Sequence, residues 1–294
     1  MALPTAEDGN RVVIVTGAGQ GLGRAHAHAF AAEGYDVVVN DVGPAAETVA
    51  AEITAAGGSA AATLGDVADW AYAESLVRTA VERFGDLHVL VNNAGLVRDR
   101  MLVGMSEQEW DLVLRVDLKG HFCPLRHAAA YWRGQAKAGR PVSGRIVNTS
   151  SGAGLMGSVG QGNYAAAKAG VVGLTLVAAA ELARYGITVN ALAPAARTPM
   201  TEAVFAEMMA TKDDGFDAMA PENVSPLVVW LGSAEAGGVT GRVFEVEGGR
   251  IGLADGWRYG LRREAGRRFE VAEAGKAVLD LVAEAQPPTP VYGA

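Results

Sequence analysis

The segment Arg11–Gly23, RVVIVTGAGQGLG, constrains the fold of this chain more than any other. Val12, Val13, Ile14, Val15 and Thr16 are all β-branched, with no alternation between apolar and polar positions. A run of that kind reads as a strand covered on both faces, which is the habit of parallel sheets. Gly17, Gly21 and Gly23 then fall where the strand turns into a helix. Glycine permits the tight turn and lets the backbone approach a diphosphate, while the helix N-terminus presents free N–H groups and a partial positive charge. Leu22 stands where the familiar GxGxxG spacing has its last glycine. The weight of the motif therefore comes from its place between strand and helix.

The rest of the chain repeats the strand–helix rhythm. Strands are expected at 35–41, ending near 65–66, then at 87–93, 144–150, 186–192 and 242–249. Helices are expected at 21–33, at 45–56 before the stop Gly57-Gly58, from the cap Asp69 to Phe84, from Ser106 onward, at 163–184 and at about 221–231. Such alternation implies right-handed βαβ units. The expected fold is α/β: a three-layer, doubly wound Rossmann fold with a mostly parallel sheet of about seven strands. Residues 1–249 read as one catalytic domain, and 250–294 as an extension packed on it or on a neighbouring subunit. With 294 residues, half of them apolar, the chain can bury one large core.

Two segments break the rhythm. Residues 194–226 carry Met200, Phe205, Met208, Met209, Phe216 and Met219, which suit either a lid over a bulky apolar substrate or the core of two short helices. In the extension, WRYGLRREAGRRF (Trp257–Phe269) holds five arginines and one glutamate. It reads first as a solvated or salt-bridged surface, and otherwise as a site for CoA phosphates or a neighbouring subunit's acids. Val271, Ala274, Val278, Leu281, Val282 and Ala285 follow at helical spacing, as in a docked amphipathic helix.

Composition removes other classes of function. A net charge of −8 argues against nucleic-acid binding. The one cysteine, Cys123, excludes an internal disulfide, fits a reducing compartment and is expected to be buried. The opening MALPTAEDGN has no basic stretch followed by an apolar one, so no signal peptide is expected and the location is read as cytoplasmic. Ala165–Ala180, interrupted by Lys168 and Thr175, reads as a buried helix and not a membrane span. No metal site is assigned.

Asp41 ends the second strand, 18 residues after Gly23, where a carboxylate accepts both ribose hydroxyls of an adenosine half. A 2′-phosphate there would meet like charge at about 4 Å, a repulsion of roughly 4 kcal/mol at an effective dielectric near 20. No Arg or Lys stands in 42–46, and Gln20 in the glycine loop is neutral. The expected cofactor is therefore NAD rather than NADP.

Tyr164 and Lys168 are four apart on an expected helix and share a face, and Ser151 closes the strand before it. A phenol ordinarily titrates near pH 10, and lowering that by two to three units takes about 3–4 kcal/mol. An ammonium at 4–5 Å supplies about that much, and an oxidised nicotinamide adds to it. Tyr164 is thus the candidate acid/base, Lys168 its cation and Ser151 the hydrogen-bonding partner of the substrate oxygen.

Over about Arg11–Gly249 these residues resemble the short-chain dehydrogenase/reductase family. TGxxxGxG matches Gly17, Gly21 and Gly23, and the catalytic serine, tyrosine and lysine match Ser151, Tyr164 and Lys168. The resemblance implies hydride transfer between a nicotinamide and a carbinol or carbonyl carbon, usually in a tetramer. It implies cofactor contacts at Gln20, Leu22, Asp66, Val67, Asn93, Ala94, Gly95, Pro194, Arg197 and Thr198 as well. Two positions depart from the pattern. Asp117 stands where the family has a catalytic asparagine holding a proton-relay water, and Pro194-Ala195 replaces Pro-Gly. VVVNDVG, RDRML (Arg98–Leu102) and GGRIGLADGW are similar to the dehydrogenase part of peroxisomal multifunctional β-oxidation enzymes. That similarity implies a 3-hydroxyacyl-CoA or hydroxysteroid-type substrate. The alternatives are a 3-oxoacyl-[acyl-carrier-protein] reductase, which Asp41 disfavours, and a dinucleotide sensor without turnover, which would be expected to lose Tyr164 or Lys168. Small residues along Ala165–Ala180 suggest helix packing between subunits of a homodimer or homotetramer.

Overall fold

Every residue of β1 (Val12–Val15) is fully buried, as its unbroken apolar run requires. A computed structural model of the chain describes residues 10–202, 215–254, 256, 258–287 and 289–292. In it β1 lies inside the sheet, paired in parallel with β2 (Asp36–Asp41) on one side and β4 (Val89–Asn92) on the other. Beyond β2 comes β3 (Ser59–Leu64); beyond β4 come β5 (Arg145–Thr149), β6 (Thr188–Ala195) and β7 (Val243–Glu247). All these pairings are parallel. The order 3-2-1-4-5-6-7 reverses direction at β1 and β4, where a doubly wound sheet opens a crevice at its carboxyl edge.

Successive side chains of β1 point to opposite faces, and both faces are covered. Val13 and Val15 pack with Phe30 of α1 (Gly21–Ala32), Ile53 of α2 (Ala45–Ala55) and Leu231, which lies in a later helix. Val12 and Ile14 pack with Leu76 of α3 (Trp70–Phe84), with Trp132 and with Ile187. Asp69 caps α3 as its sequence suggests, accepting the Tyr72 N–H at 2.7 Å. Ser106 and Glu109 form a reciprocal capping box on α4 (Glu107–Val113). A π-helical turn, Leu114–Lys119, then leads into α5 (Gly120–Lys137). After β5 come the short α6 (Gly152–Met156) and the long α7 (Gly162–Leu182). The short α8 (Pro199–Glu202) follows β6, and α9 (Ser225–Gly232) precedes β7.

The sheet has eight strands, one more than expected. β8 (Arg250–Ala254) turns back antiparallel on β7, with Glu247 opposite Arg250 across Gly248-Gly249. Gly248 adopts φ 52°, which a two-residue hairpin turn requires. The strand escapes a hydrophobicity reading because Ile251 and Leu253 are exposed on this outermost strand.

The last helix, α10 (Val271–Glu284), forms where the spacing predicts it, yet it buries none of its residues in this chain. Val271, Val278 and Val282 are exposed. Ion pairs tie it to the arginine-rich stretch instead: Arg267 to Glu273 at 2.7 Å, and Arg263 to Glu284. α7 is long and apolar enough to cross a membrane. It turns one face to the core, through Ala167, Val171, Thr175 and Ala178, and leaves Leu176 and Val177 exposed, so it is half buried and not wholly so.

Candidate active site

The end of β1 is built for an anion. Gly17 (φ 60°) and Gly21 (φ 54°) take the left-handed backbone that glycine tolerates. A Cβ on Gly17 would stand 2.7 Å from Ala94 Cα, so no other residue lets the β4 loop close over the turn. Gln20, the N-cap of α1, makes no side-chain bond to the helix. The first-turn N–H groups thus have no side-chain cap, which suits a phosphate. Gly23 plays a different part from the one expected. A Cβ there would meet Gly17 O at 2.2 Å and Asn93 Nδ2 at 2.6 Å, so it is a packing position beneath the loop and does not line the cleft.

Thr16 and Asn93 hold this loop to the one after β4. The Asn93 and Ala94 N–H groups donate to Thr16 Oγ1 at 2.9 and 3.1 Å, and Asn93 Nδ2 donates to the carbonyls of Thr16 and Gly17 at 3.0 and 3.1 Å. Thr16 opens the TGxxxGxG motif, a signal that was present in the sequence and pointed only at the glycines. At the end of β2, Asp41 accepts the Gly19 N–H on Oδ2 (2.9 Å) and the Gly43 N–H on Oδ1 (3.2 Å). Asp66 is held by the Ala68 N–H at 2.8 Å and by Arg115 at 2.6 Å.

Together these loops form a cleft of about 430 Å³ along the carboxyl edge of the sheet. Gln20, Leu22, Asp41, Asp66 and Val67 line it, as do Asn93, Ala94 and Gly95. So do Ser151, Tyr164, Lys168, Pro194, Thr198 and Met200. From Asp41 at the end of β2 to Pro194 near the end of β6 is four strand spacings, about 19 Å. Uncapped helix end, glycine turn and terminal carboxylate fit the diphosphate and ribose of a dinucleotide. Among the described residues no cluster of His, Cys, Asp and Glu could hold a metal ion.

Tyr164 and Lys168 share the inner face of α7, and the Lys168 Nζ lies 5.5 Å from the Tyr164 ring centre. Ser151 caps α6 by accepting the Ala153 N–H at 3.2 Å, and its side chain lowers the Tyr164 phenol in opposition to burial. Lys168 is 2 % exposed; its Nζ donates to Thr149 O at 2.9 Å and sits 3.3 Å from Asp117 Oδ2. Asp117, fully buried in the π-helical turn, also accepts the Leu96 N–H at 2.8 Å. It does not line the cleft but stands behind it.

The phenol does not behave as its spacing from Lys168 alone suggests. Burial pushes Tyr164 above its ordinary value; Lys168 pulls it down, and Asp117 pushes it up again. The expected lowering is absent chiefly because burial outweighs the pull of Lys168, and the carboxylate behind that cation adds to the rise. Asp117 is itself raised, by burial first, with Lys168 and the Leu96 N–H opposing.

Two further expectations change. Arg197 does not line the cleft: its guanidinium is paired with Asp217, and its N–H donates to Met219 O at 2.6 Å, so it clasps the two ends of the 197–219 segment. Ala195 needs no glycine, because β6 stays extended through it and pairs it with Glu247. Of the apolar insert residues, Met200 lines the cleft and Phe216 is exposed; Phe205, Met208 and Met209 lie outside the described residues, as does Trp257 of the extension. Sequence reading also missed Asn163, whose Nδ2 donates to Arg98 O and Glu109 O at 3.0 and 3.2 Å and so anchors the start of α7. It missed the pair Gln161–Asp99 at 3.1 Å, for which no local signal exists.

A family model described as short chain dehydrogenase matches residues 11–209. The chain belongs to the short-chain dehydrogenase family. It is an oxidoreductase, and dehydrogenases of this family use nicotinamide dinucleotides. It is similar to a hydroxyacyl-CoA dehydrogenase, ChsB1, of Mycobacterium tuberculosis: 49% identical over 257 residues, covering 85% of this chain and 81% of that one. It is also similar to the peroxisomal multifunctional enzyme type 2 of Mus musculus, 44% identical over 262 residues. That match takes in 86% of this chain and only 33% of the mouse protein, so the chain spans about a third of that larger relative. A crystal structure of a short chain dehydrogenase from Mycobacterium avium superposes with a TM-score of 0.90 at 63% identity, over 97% of this chain and 99% of that one.

Proposed function

We propose that this short-chain dehydrogenase uses NAD to oxidise the carbinol of a 3-hydroxyacyl-CoA ester or a hydroxysteroid-type substrate. The observation that carries the reading is the single cleft joining Asp41 to Ser151, Tyr164 and Lys168. Each Asp41 oxygen holds one backbone N–H and keeps a lone pair for a ribose hydroxyl. A 2′-phosphate there would set charge against charge. The names of the mycobacterial and mouse relatives support the acyl-CoA class, and Met200 on the cleft wall suits an apolar group.

A nicotinamide dinucleotide held by the Gly17–Gly21 turn, Asp41 and the loop at Asn93 would supply the hydride acceptor for the carbinol carbon, and the positive charge of its oxidised ring would favour the phenolate. Tyr164 takes the proton from the carbinol oxygen and returns it in reduction. Ser151 hydrogen-bonds that oxygen as charge changes on it. Lys168 stabilises the phenolate, and Asp117 holds Lys168 in place from behind. The same reading has the enzyme work in the cytoplasm as a homodimer or homotetramer, with the exposed Leu176 and Val177 of α7 as candidate contacts.

The test is a panel: NAD+ and NADP+ reduction with short, long and steroidal 3-hydroxyacyl-CoA esters and a free 17β-hydroxysteroid. Turnover of one or more of them with NAD+ preferred is expected, and Tyr164→Phe is expected to lose about a hundredfold or more. A Tyr164→Phe enzyme as fast as its parent would remove the proposed acid/base, and a preference for NADP+ would remove the role of Asp41.

A further inference from the structure

The loop between Ser151 and Tyr164 is gripped from two sides by segments remote in sequence. On one side Arg100 bridges Gln161, with the Arg100 N–H donating to Gly160 O at 2.7 Å. On the other, the C-terminal tail pairs with it as a short parallel strand. The Val159 N–H donates to Tyr292 O at 2.9 Å, the Tyr292 N–H donates to Gly157 O at 3.2 Å, and Ser158 bridges Tyr292. Tyr292 also reaches the residue next to the reacting serine. A Cβ on Gly152 would stand 2.8 Å from Tyr292 Oη and 2.9 Å from its Cε2, and one on Gly157 would stand 2.9 Å from Val291 Cγ1. Glycines at 152 and 157 thus leave the space that Tyr292 and Val291 fill.

From this contact we infer that Tyr292 is a positioning residue for the reaction: the tail strand holds the 151–159 loop, and through it the Ser151 hydroxyl, against Tyr164. The inference rests on the reading of Ser151 and Tyr164 as the reacting pair. Ser151 has only a short helix behind it, α6, whose five residues follow directly on the serine. Such a turn has few internal bonds and drifts unless something outside it is fixed to it. The tail supplies two backbone hydrogen bonds, at Gly157 O and the Val159 N–H, and a ring against Gly152, the residue next to Ser151. Tyr292 does not line the cleft, so its effect passes through the serine and not through substrate contact.

Three variants test this with a 3-hydroxyacyl-CoA ester and NAD+: Tyr292→Ala, Tyr292→Phe and a chain ending at Pro287. Misplacement of a reacting group by about 1 Å can cost a hundredfold in rate. Tyr292→Ala and the shortened chain are expected to lose about tenfold or more in kcat, with KM for NAD+ unchanged, because the loops that fit the diphosphate and adenosine ribose follow β1, β2 and β4. Tyr292→Phe keeps the ring over Gly152 and is expected to restore the parental kcat. Amide hydrogen exchange decides the contact independently of turnover: the Val159 N–H is expected to be protected in the parent and to exchange freely in the shortened chain. A kcat within twofold of the parent in both Tyr292→Ala and the shortened chain overturns the inference, as does an unprotected Val159 in the parent. A parent that oxidises no carbinol while Val159 is protected would sink the proposed function and leave the tail contact standing.

Discussion

Asp117 offers the sharpest test of the site, because it places a negative charge behind the cation on which Tyr164 depends. The substitution is Asp117→Asn, which keeps an oxygen for the Leu96 N–H and removes the charge. Lys168 Nζ is 5.5 Å from the Tyr164 ring centre and 3.3 Å from Asp117 Oδ2. The carboxylate therefore lies no more than about 9 Å from the ring, whatever the angle between those two vectors. The phenolate oxygen stands outside the ring, so the two charges lie no more than about 12 Å apart, and at an effective dielectric near 20 they repel by roughly 1.4 kcal/mol or more. That is about one pH unit. Removing the carboxylate makes the phenolate easier to form. Oxidation needs the phenolate, so its rate rises with pH through the phenol's titration.

In kcat/KM against pH, the rising limb for oxidation is thus expected to move toward acid by about one unit. The falling limb for reduction, which needs the phenol, moves the same way. Stability moves too, because the substitution strips a buried ammonium of its partner, which generally costs about 3–5 kcal/mol. The position of the limb, and not the absolute rate, is therefore the readout. A limb that stays put would mean that Asp117 carries no charge in the working enzyme. A limb displaced toward base would refute the electrostatic reasoning outright.

Asp41→Ala should raise the ratio of kcat/KM for NADP+ over NAD+ by ten- to a hundredfold, since the half-exposed carboxylate retains about 1–3 kcal/mol of its repulsion after solvent screening; an unchanged ratio would remove Asp41 from cofactor choice. His26 is fully buried against Ser225 Oγ at 2.9 Å, and burial alone holds it down to about pKa 3. Its folded value lies below the unfolded one near 6.5, so the stability it supports is complete above that pH and is lost as pH falls through the interval toward 3. Urea denaturation should show about 2 kcal/mol less stability at pH 5 than at pH 7 from this group, and His26→Asn should remove that share; parallel losses in both proteins would count against it. Cys123 is fully buried, and burial pushes its thiol up. It should resist a disulfide reagent in the native enzyme and react at once in urea; fast native labelling would show that α5 opens.

How much of this was legible depended on whether the deciding contact was local. In the strand–turn–helix of Arg11–Gly23, the cap of Asp69 on Tyr72 and the pairing of Tyr164 with Lys168, the partners within each feature are close in sequence, and each is visible in the spelling. β8 was not, because an outer strand with its apolar side chains in solvent carries no burial pattern. α10 was legible as a helix and illegible as to its surroundings, since periodicity shows which face is apolar and not what covers it. In the site, three placements share one origin. Gly23, Arg197 and Asp117 stand at family positions, but their partners come from elsewhere in the chain. Gly23 lies under Asn93, Arg197 beside Asp217 and Asp117 against Lys168. No motif spacing records a partner 20 to 70 residues away.

Those remote partners also show that the two motifs are one mechanical unit. Thr16, at the head of the glycine loop, accepts the N–H groups of Asn93 and Ala94. Two residues further on, the Leu96 N–H is held by Asp117, and Asp117 holds Lys168. Lys168 donates to Thr149 O at the end of β5, and Ser150 Oγ returns a bond to Lys168 O at 2.9 Å. A chain of hydrogen bonds and one ion pair therefore runs from the phosphate loop through β4 to the reacting tyrosine's neighbour, crossing three strands of the sheet. A buried carboxylate is costly unless it is both paired and hydrogen-bonded. Asp117 satisfies that condition only while the Leu96 loop and Lys168 are both in position. The residue that departs from the family pattern thus couples the order of the loop after β4 to the placement of Lys168 beside Tyr164.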